Sequence, residues 1–229
     1  MRRPVLYVLA GVNGAGKSSI GGQLLHAQGV PWFNPDTFAR ELRAELHCPQ
    51  EDVNSQAWHE GMRRLAIALD TGTSFAFETT LAGRTVPARI LDAAATHDIF
   101  VWFAGLDRPE RHIARVALRV AAGGHDIPEA TIRARYPAAL ANLIALMPVV
   151  THLQVYDNSH DVARGKPIPD PVLVLEVGHG TVTFPKSKAA LARTPEWAKP
   201  LVEAALEMGE RPRAPPLPPR GPRRAVAKA

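Results

Sequence analysis

The stretch "PVLYVLAGVNGAGKSSI" (4–20) decides the fold class. Its first eight residues form a continuous apolar run rich in strand formers, of the kind buried on both faces of a parallel sheet. Gly11, Val12, Asn13, Gly14, Ala15, Gly16, Lys17 and Ser18 then satisfy G-x-x-x-x-G-K-[ST] in full. The glycines let the backbone turn with its N–H groups pointing inward, which makes a nest for an anion. The helix that follows presents the positive end of its dipole to the same phosphates. Lys17 is placed to reach the β- and γ-phosphates of a nucleotide, and the Ser18 hydroxyl to join the shell of a Mg²⁺ ion. Gly11, Asn13, Gly14, Ala15, Gly16, Lys17, Ser18 and Ser19 are therefore the candidate nucleotide-binding set. A strand before the loop and a helix after it separate this reading from an ordinary glycine turn.

Outward from the loop, strands and helices alternate. Residues 17–28 read as a helix, "VPWFN" (30–34) as a second strand, and 36–47 and 53–70 as helices, the latter capped near Asn54 or Ser55. "SFAFETT" (74–80) is a third strand, 84–97 a helix and "DIFVWFAGL" (98–106) a fourth strand. A helix opening at Pro109 runs to Ala121, "GGHD" (123–126) breaks it, and Pro128 opens another to Met147, kinked near Pro137. "THLQVYDNS" (151–159) is a fifth strand, and "PVLVLEVGHGTVTF" (171–184) a hairpin turning at 178–180. A last helix covers 195–208. The alternation predicts a doubly wound α/β fold, a P-loop NTPase with a mainly parallel five-stranded sheet, helices on both faces and a C-terminal hairpin. Residues just after strands then become the functional candidates. A kinase domain over 1–208, with a helical lid at 108–147, and a tail at 209–229 is the expected organisation.

Of 229 residues, 46% are hydrophobic and 21% charged, which suits one globular domain. The single cysteine, Cys48, excludes an intrachain disulfide. The apolar run after Arg2 and Arg3 is shorter than a signal h-region and enters a glycine loop without a cleavage site. No stretch approaches the roughly 18 apolar residues of a membrane span, so a cytoplasmic protein with no membrane contact is expected. The net charge is +5, but residues 209–229 hold six Lys/Arg and one Asp/Glu, leaving 21 of each sign in 1–208. The basicity thus belongs to a Pro/Arg-rich tail, read as a solvated, disordered segment or a weak contact for nucleic acid or an acidic partner.

Asp36, in "FNPDTFAR", follows the second strand beside the phosphate loop. It reads either as a base accepting a proton from an acceptor hydroxyl or as the cap of the next helix. Glu78, Thr79 and Thr80 close the third strand. Glu78 is placed to serve the Mg²⁺ shell or substrate hydroxyls, and the threonines the same substrate, unless this is an ordinary solvated loop. Asp107, in "FAGLDRP", is the other candidate for an acid of Walker B type. Arg108, Arg111, Arg115 and Arg119 share one helical stripe, with Ile113, Val116, Ala117 and Val120 opposite. The stripe is either a solvated basic face or, with Arg133 and Arg135 across the Gly123–Gly124 break, a lid that neutralises transferring phosphate. His125 sits in that break. Asn158 and Ser159 line an adenine pocket or simply end the fifth strand. The chain carries no H-E-x-x-H, no G-x-S-x-G and no cysteine cluster, and His47, His59, His152, His160 and His179 lack ligand spacing.

The ordered set "AGVNGAGKSS" (10–19), "FNPDTFAR" (33–40), "FAFETTLAGR" (75–84), "RVALRVAAGGHDIPEATIRARY" (115–136) and "VYDNS" (155–159) resembles the zeta-toxin family of P-loop kinases. The resemblance covers about residues 4–160. It implies an ATP- and Mg²⁺-dependent kinase, similar in fold to chloramphenicol phosphotransferase, that phosphorylates a hydroxyl of a nucleotide sugar, UDP-N-acetylglucosamine, as the toxin of a pair with an antitoxin protein. It further implies Lys17 as the phosphate-loop lysine and Asp36 as the catalytic base. Glu78, Thr79, Thr80 and Arg84 then become substrate-side residues, with Glu78 also metal-side, and Arg119 and Arg135 the lid arginines, with Arg115 and Arg133 as competitors. A P-loop ATPase or switch, and a kinase acting on another small molecule or a nucleic-acid end, are the alternative functions.

Overall fold

The computed structural model describes residues 3–18, 20–21, 32–46, 49–160 and 169–210. Among the described residues, seven strands form one sheet in the order β2-β3-β1-β4-β5-β6-β7. The strands are β1 (Val5–Ala10), β2 (Trp32–Phe33), β3 (Phe75–Thr79), β4 (Asp98–Gly105), β5 (His152–Asp157), β6 (Val172–Gly178) and β7 (Thr181–Phe184). The first five run parallel, with β1 central between β3 and β4. β1 is buried almost throughout, as its unbroken apolar run requires. Leu6, Val8 and Ala10 enter the main core with Val101, Phe103, Leu153 and Val155. Tyr7 and Leu9, on the other face, pack with Trp102 and Ala76.

The helices are α1 (Pro35–Leu46), α2 (Gln50–Thr71), α3 (Thr85–Ala93), α4 (Pro109–Ala121), α5 (Glu129–Leu146), α6 (Lys188–Ala192) and α7 (Lys199–Glu210). The chain is also helical at 17–18 and 20–21. The helix expected over 17–28 otherwise lies outside the described residues, as do Ser19, Cys48 and the tail beyond 210.

Several boundaries differ from the sequence expectation, each for a local reason. α2 begins at Gln50, before Asn54 and Ser55, because Pro49 already sets an extended entry without any side-chain cap. It ends on Gly72, whose left-handed φ of 63° lets its N–H close on the Ala68 carbonyl. α3 stops at Ala93 and gives way to turns that carry the buried His97, whose ring Nε2 lies 3.1 Å from the Thr73 carbonyl. α5 runs through Pro137. The hairpin turns at His179 and Gly180, both at positive φ, the geometry of a tight two-residue connection. It joins the main sheet, β6 running antiparallel to β5, so the five-stranded core is extended to seven. α7 packs on β6 and β7 through Leu201, Val202 and Ala205. Among the described residues, no helix is long and apolar enough to cross a membrane.

Candidate active site

The carboxyl ends of β1, β2, β3, β4 and β5 bring the sequence candidates to one end of the sheet. Gly11, Gly14 and Gly16 all take positive φ. A Cβ on Gly11 would lie 2.3 Å from the Ala104 carbonyl oxygen, and one on Gly16 2.4 Å from the Asn158 side-chain nitrogen. Both positions therefore need glycine for conformation and for space. Asn158 follows β5 directly and donates from Nδ2 to the Ala15 carbonyl at 2.9 Å, so it braces the loop from the side. Asn13 is held twice. Its carbonyl accepts from Nδ1 of the buried His112 on α4 at 2.8 Å, and its side-chain oxygen accepts from Arg135 Nη1 on α5 at 2.7 Å.

Beyond the loop, Lys17 is buried and its Nζ lies 3.5 Å from Glu78 Oε1. Glu78 Oε2 is 3.5 Å from Ser18 Oγ and accepts from Asn34 Nδ2 at 2.9 Å. Burial raises the Glu78 carboxyl above its ordinary value, Lys17 opposes that shift, and the nearby Asp36 charge adds to it. A hydroxyl beside a carboxylate, with room for phosphate oxygens and water, is a donor set that fits Mg²⁺. Among the described residues there is no cluster of three or more His, Cys, Asp or Glu that would bind a metal on its own.

Asp36 stands in the first turn of α1 with half of its side chain exposed, 3.7 Å from Arg119 Nη1. It does not cap the helix. The Asn34 side-chain oxygen does so, accepting from the N–H groups of Asp36 at 2.9 Å and Thr37 at 3.2 Å. A cleft of about 620 Å³ opens in front of these residues. Asn13, Lys17, Asp36, Glu78, Thr79, Thr80, Arg84, His125 and Arg135 all line it. Its far wall is α2, which supplies Asn54, Ala57, Trp58, Gly61 and Met62, a surface that sequence reading missed. Nothing in the periodicity of a long helix shows which of its faces will meet a ligand. The loop after β3 is held by Asn142 of α5, which donates to the carbonyls of Leu81 at 2.7 Å and Gly83 at 3.0 Å.

The arginines divide by environment. Arg119 donates to the His125 carbonyl at 3.1 Å beside Asp36, and Arg135 is held at Asn13, where burial lowers its pKa. Arg115 instead pins the end of β5, donating to the Asn158 and His160 carbonyls at 2.7 and 2.8 Å. Arg133 pairs with Glu110 on the outer surface, and Arg111 and Arg108 pair with Asp107. The stripe is therefore not a uniform solvated face. The buried side of α4 is His112 and Val116, while Ala117, expected on the apolar side, is exposed. His112 falls one turn before Val116, the one signal in the sequence that places it inward. Ser159 ties the same region together, accepting at Oγ from the Asp107 N–H at 2.8 Å.

Residues 6–136 match the profile of the AAA-domain family. No curated protein sequence matches the chain. Among solved structures, the AvrRxo1-ORF1:AvrRxo1-ORF2 complex with sulphate ions superposes with a TM-score of 0.62 at 17% identity, over 85% of this chain and 65% of that one. The same complex with ATP gives 0.61 at 16% identity, over 89% and 64%. The PezAT chromosomal toxin–antitoxin system of Streptococcus pneumoniae gives 0.55 at 16% identity, over 92% and 85%. This chain thus spans about two thirds of the AvrRxo1 chains. At these identities the likeness is one of fold.

Proposed function

The chain belongs to the AAA-domain family, and from that premise we propose that it is an ATP-dependent phosphotransferase acting on a hydroxyl of a small molecule, a nucleotide sugar such as UDP-N-acetylglucosamine. The observation that carries the reading is convergence. A phosphate loop, the exposed Asp36 carboxylate, the buried Lys17–Glu78 pair and Arg135 meet at one cleft, with Arg119 beside Asp36. An ATPase can also use a carboxylate to activate water, but the cleft of about 620 Å³ in front of Asp36 has room for an acceptor much larger than water, which favours transfer over hydrolysis.

In this reading ATP lies along the loop with its γ-phosphate toward Lys17 and Arg135. Asp36 accepts the proton of the acceptor hydroxyl, the acceptor oxygen bonds to the γ-phosphorus, and the bond from that phosphorus to the β,γ-bridging oxygen breaks to release ADP. Lys17, Arg119 and Arg135 spread the charge of the transferring group, and positioning supplies most of the catalysis. Ser18 and Glu78, directly or through water, would hold a Mg²⁺ ion that neutralises the β- and γ-oxygens. Thr79, Thr80 and Arg84 take the acceptor side. The neighbouring structures were solved as a complex or as a toxin–antitoxin system, which supports a neutralising partner protein for this chain as part of the same proposal.

The test is to incubate the purified chain with ATP–Mg²⁺ and a panel of nucleotide sugars, sugars and nucleic-acid ends, reading products by mass. A phosphorylated nucleotide sugar is expected. Asp36→Asn should lower kcat by about 10²- to 10⁴-fold, the worth of a positioned base, while ATP affinity stays within about twofold. Hydrolysis of ATP with no acceptor gaining phosphate would establish an ATPase instead.

A further inference from the structure

Asn34 does two jobs with one amide. Its oxygen caps α1 at the N–H groups of Asp36 and Thr37, and its backbone carbonyl accepts from Phe38 at 3.0 Å. Those two N–H groups fix which end of the amide is oxygen, so the nitrogen faces Glu78 and donates to Oε2 at 2.9 Å. Helix capping alone is met by Ser, Thr or Asp as well as Asn. Ionised Asp has no donor, and a Ser or Thr hydroxyl must cap and donate through one atom, without the separate Nδ2 that carries the carboxamide across to Glu78. Aspartate here would also set a third carboxylate beside Glu78 and Asp36.

We infer that Asn34 is a positioning residue for phosphoryl transfer, coupling the helix that carries Asp36 to the carboxylate of Glu78. The inference rests on the phosphotransferase reading above. Asp36 moves with the first turn of α1. Glu78 faces Lys17 through Oε1 and Ser18 through Oε2. One side chain thereby fixes the acceptor-side base relative to the donor-side lysine and serine, across a gap that backbone pairing does not bridge beyond the two-residue strand β2. Loss of the Nδ2 donor frees Glu78 to turn toward Lys17 and leaves the Asp36 turn in place but unregistered.

The experiment compares Asn34→Ser, Asn34→Asp and Asn34→Ala in the full chain. Thermal unfolding, ATP–Mg²⁺ affinity and turnover of ATP are measured, with and without the acceptor panel. Ser keeps a capping oxygen, so its Tm should stay close to wild type, while Ala loses the cap and Asp meets the buried Glu78 carboxylate, and both should fall. Turnover should nonetheless drop at least about tenfold in Asn34→Ser, the worth of one hydrogen bond to a charged group, and further in Asn34→Asp. ATP affinity in Asn34→Ser should hold within about threefold, putting the loss in kcat. Wild-type turnover in Asn34→Ser, or losses that follow Tm across the three variants, would overturn the inference and leave Asn34 a cap. A wild-type chain that neither phosphorylates an acceptor nor hydrolyses ATP would overturn the phosphotransferase reading, and this inference with it.

Discussion

In the phosphate loop, Asn13 is held at both of its oxygens and Ala15 at its carbonyl, whereas in the cleft facing it Asp36, Trp58 and Arg84 stand exposed. The donor side is preorganised by contacts from β5, α4 and α5. The acceptor side is a wall of side chains waiting for something to cover them. A triphosphate is the same in every reaction that uses it, so its site can be rigid. On the proposed phosphotransferase reading, the contrast teaches that specificity would reside on α2 and the loop after β3, where ordering of side chains is left for an acceptor to drive.

The strongest way to break the contrast is to strike the rigid side where it has no room. Gly16 sits at φ 85°, and a Cβ there would meet the Asn158 amide at 2.4 Å. Gly16→Ala must move Asn158 or the loop, and either displaces the N–H groups that would line the phosphates. ATP affinity should fall by about 10³-fold, or about 4 kcal/mol, in a calorimetric titration. A loss under tenfold would mean the loop gives easily and the donor side is not rigid in the sense argued.

How much of this was legible in the sequence follows the same divide. The loop announces itself because its chemistry is local, with glycines, lysine and serine at fixed spacing between a strand and a helix. The position of Asp36 and Glu78 on the cleft is legible because parallel sheets gather clefts at strand ends. Residues that act over distance were not found. His112 meets Asn13 across 99 residues, and Asn142 reaches Leu81 across 61. Asn34 was passed over in favour of its neighbour because one letter cannot show that an amide is used at both ends. The arginines were visible as a set but not as individuals. Arg115 and Arg119 are one turn apart, yet one pins backbone carbonyls and the other meets Asp36. The hairpin was legible as a hairpin, though not the strand it would join.

A second test loads the tether between the phosphate loop and α4. His112 is buried, and burial pushes its pKa from 6.5 down to about 4, even though the bond to Asn13 and the Asp107 charge oppose that shift. The folded chain therefore keeps it neutral, with Nδ1–H donating to Asn13. Above pH 6.5 the ring is neutral in both folded and unfolded states, and stability does not depend on it. As pH falls from 6.5 toward 4, the unfolded chain takes up a proton that the folded chain refuses. The stability present above the unfolded value is then lost, by up to about 3 kcal/mol. His112→Asn, which cannot titrate, should be less stable at pH 7 but show a shallower decline toward pH 4.5 in urea unfolding. Parallel declines in the two proteins would remove His112 as the acid-sensitive tether.

The smallest effect is expected on the open side, and it sharpens the contrast most directly. Trp58 stands on α2 with 45% of its surface exposed, at the rim of the cleft and within edge-on contact of His59. Among the described residues it joins no core cluster, and a large planar apolar surface beside a cleft is suited to a nucleobase face. Trp58→Ala should raise the KM for UDP-N-acetylglucosamine about tenfold, or about 1.4 kcal/mol, the lower range for losing one base–aromatic stack. Affinity for ATP–Mg²⁺ should hold within about twofold, and so should kcat at saturating acceptor, because uniform binding is what such a contact supplies. If KM for the acceptor is unmoved while ATP affinity falls, donor and acceptor have been assigned to the wrong halves of the cleft. The rigid loop would then be only an anchor for phosphate, and the α2 wall would hold the donor's base.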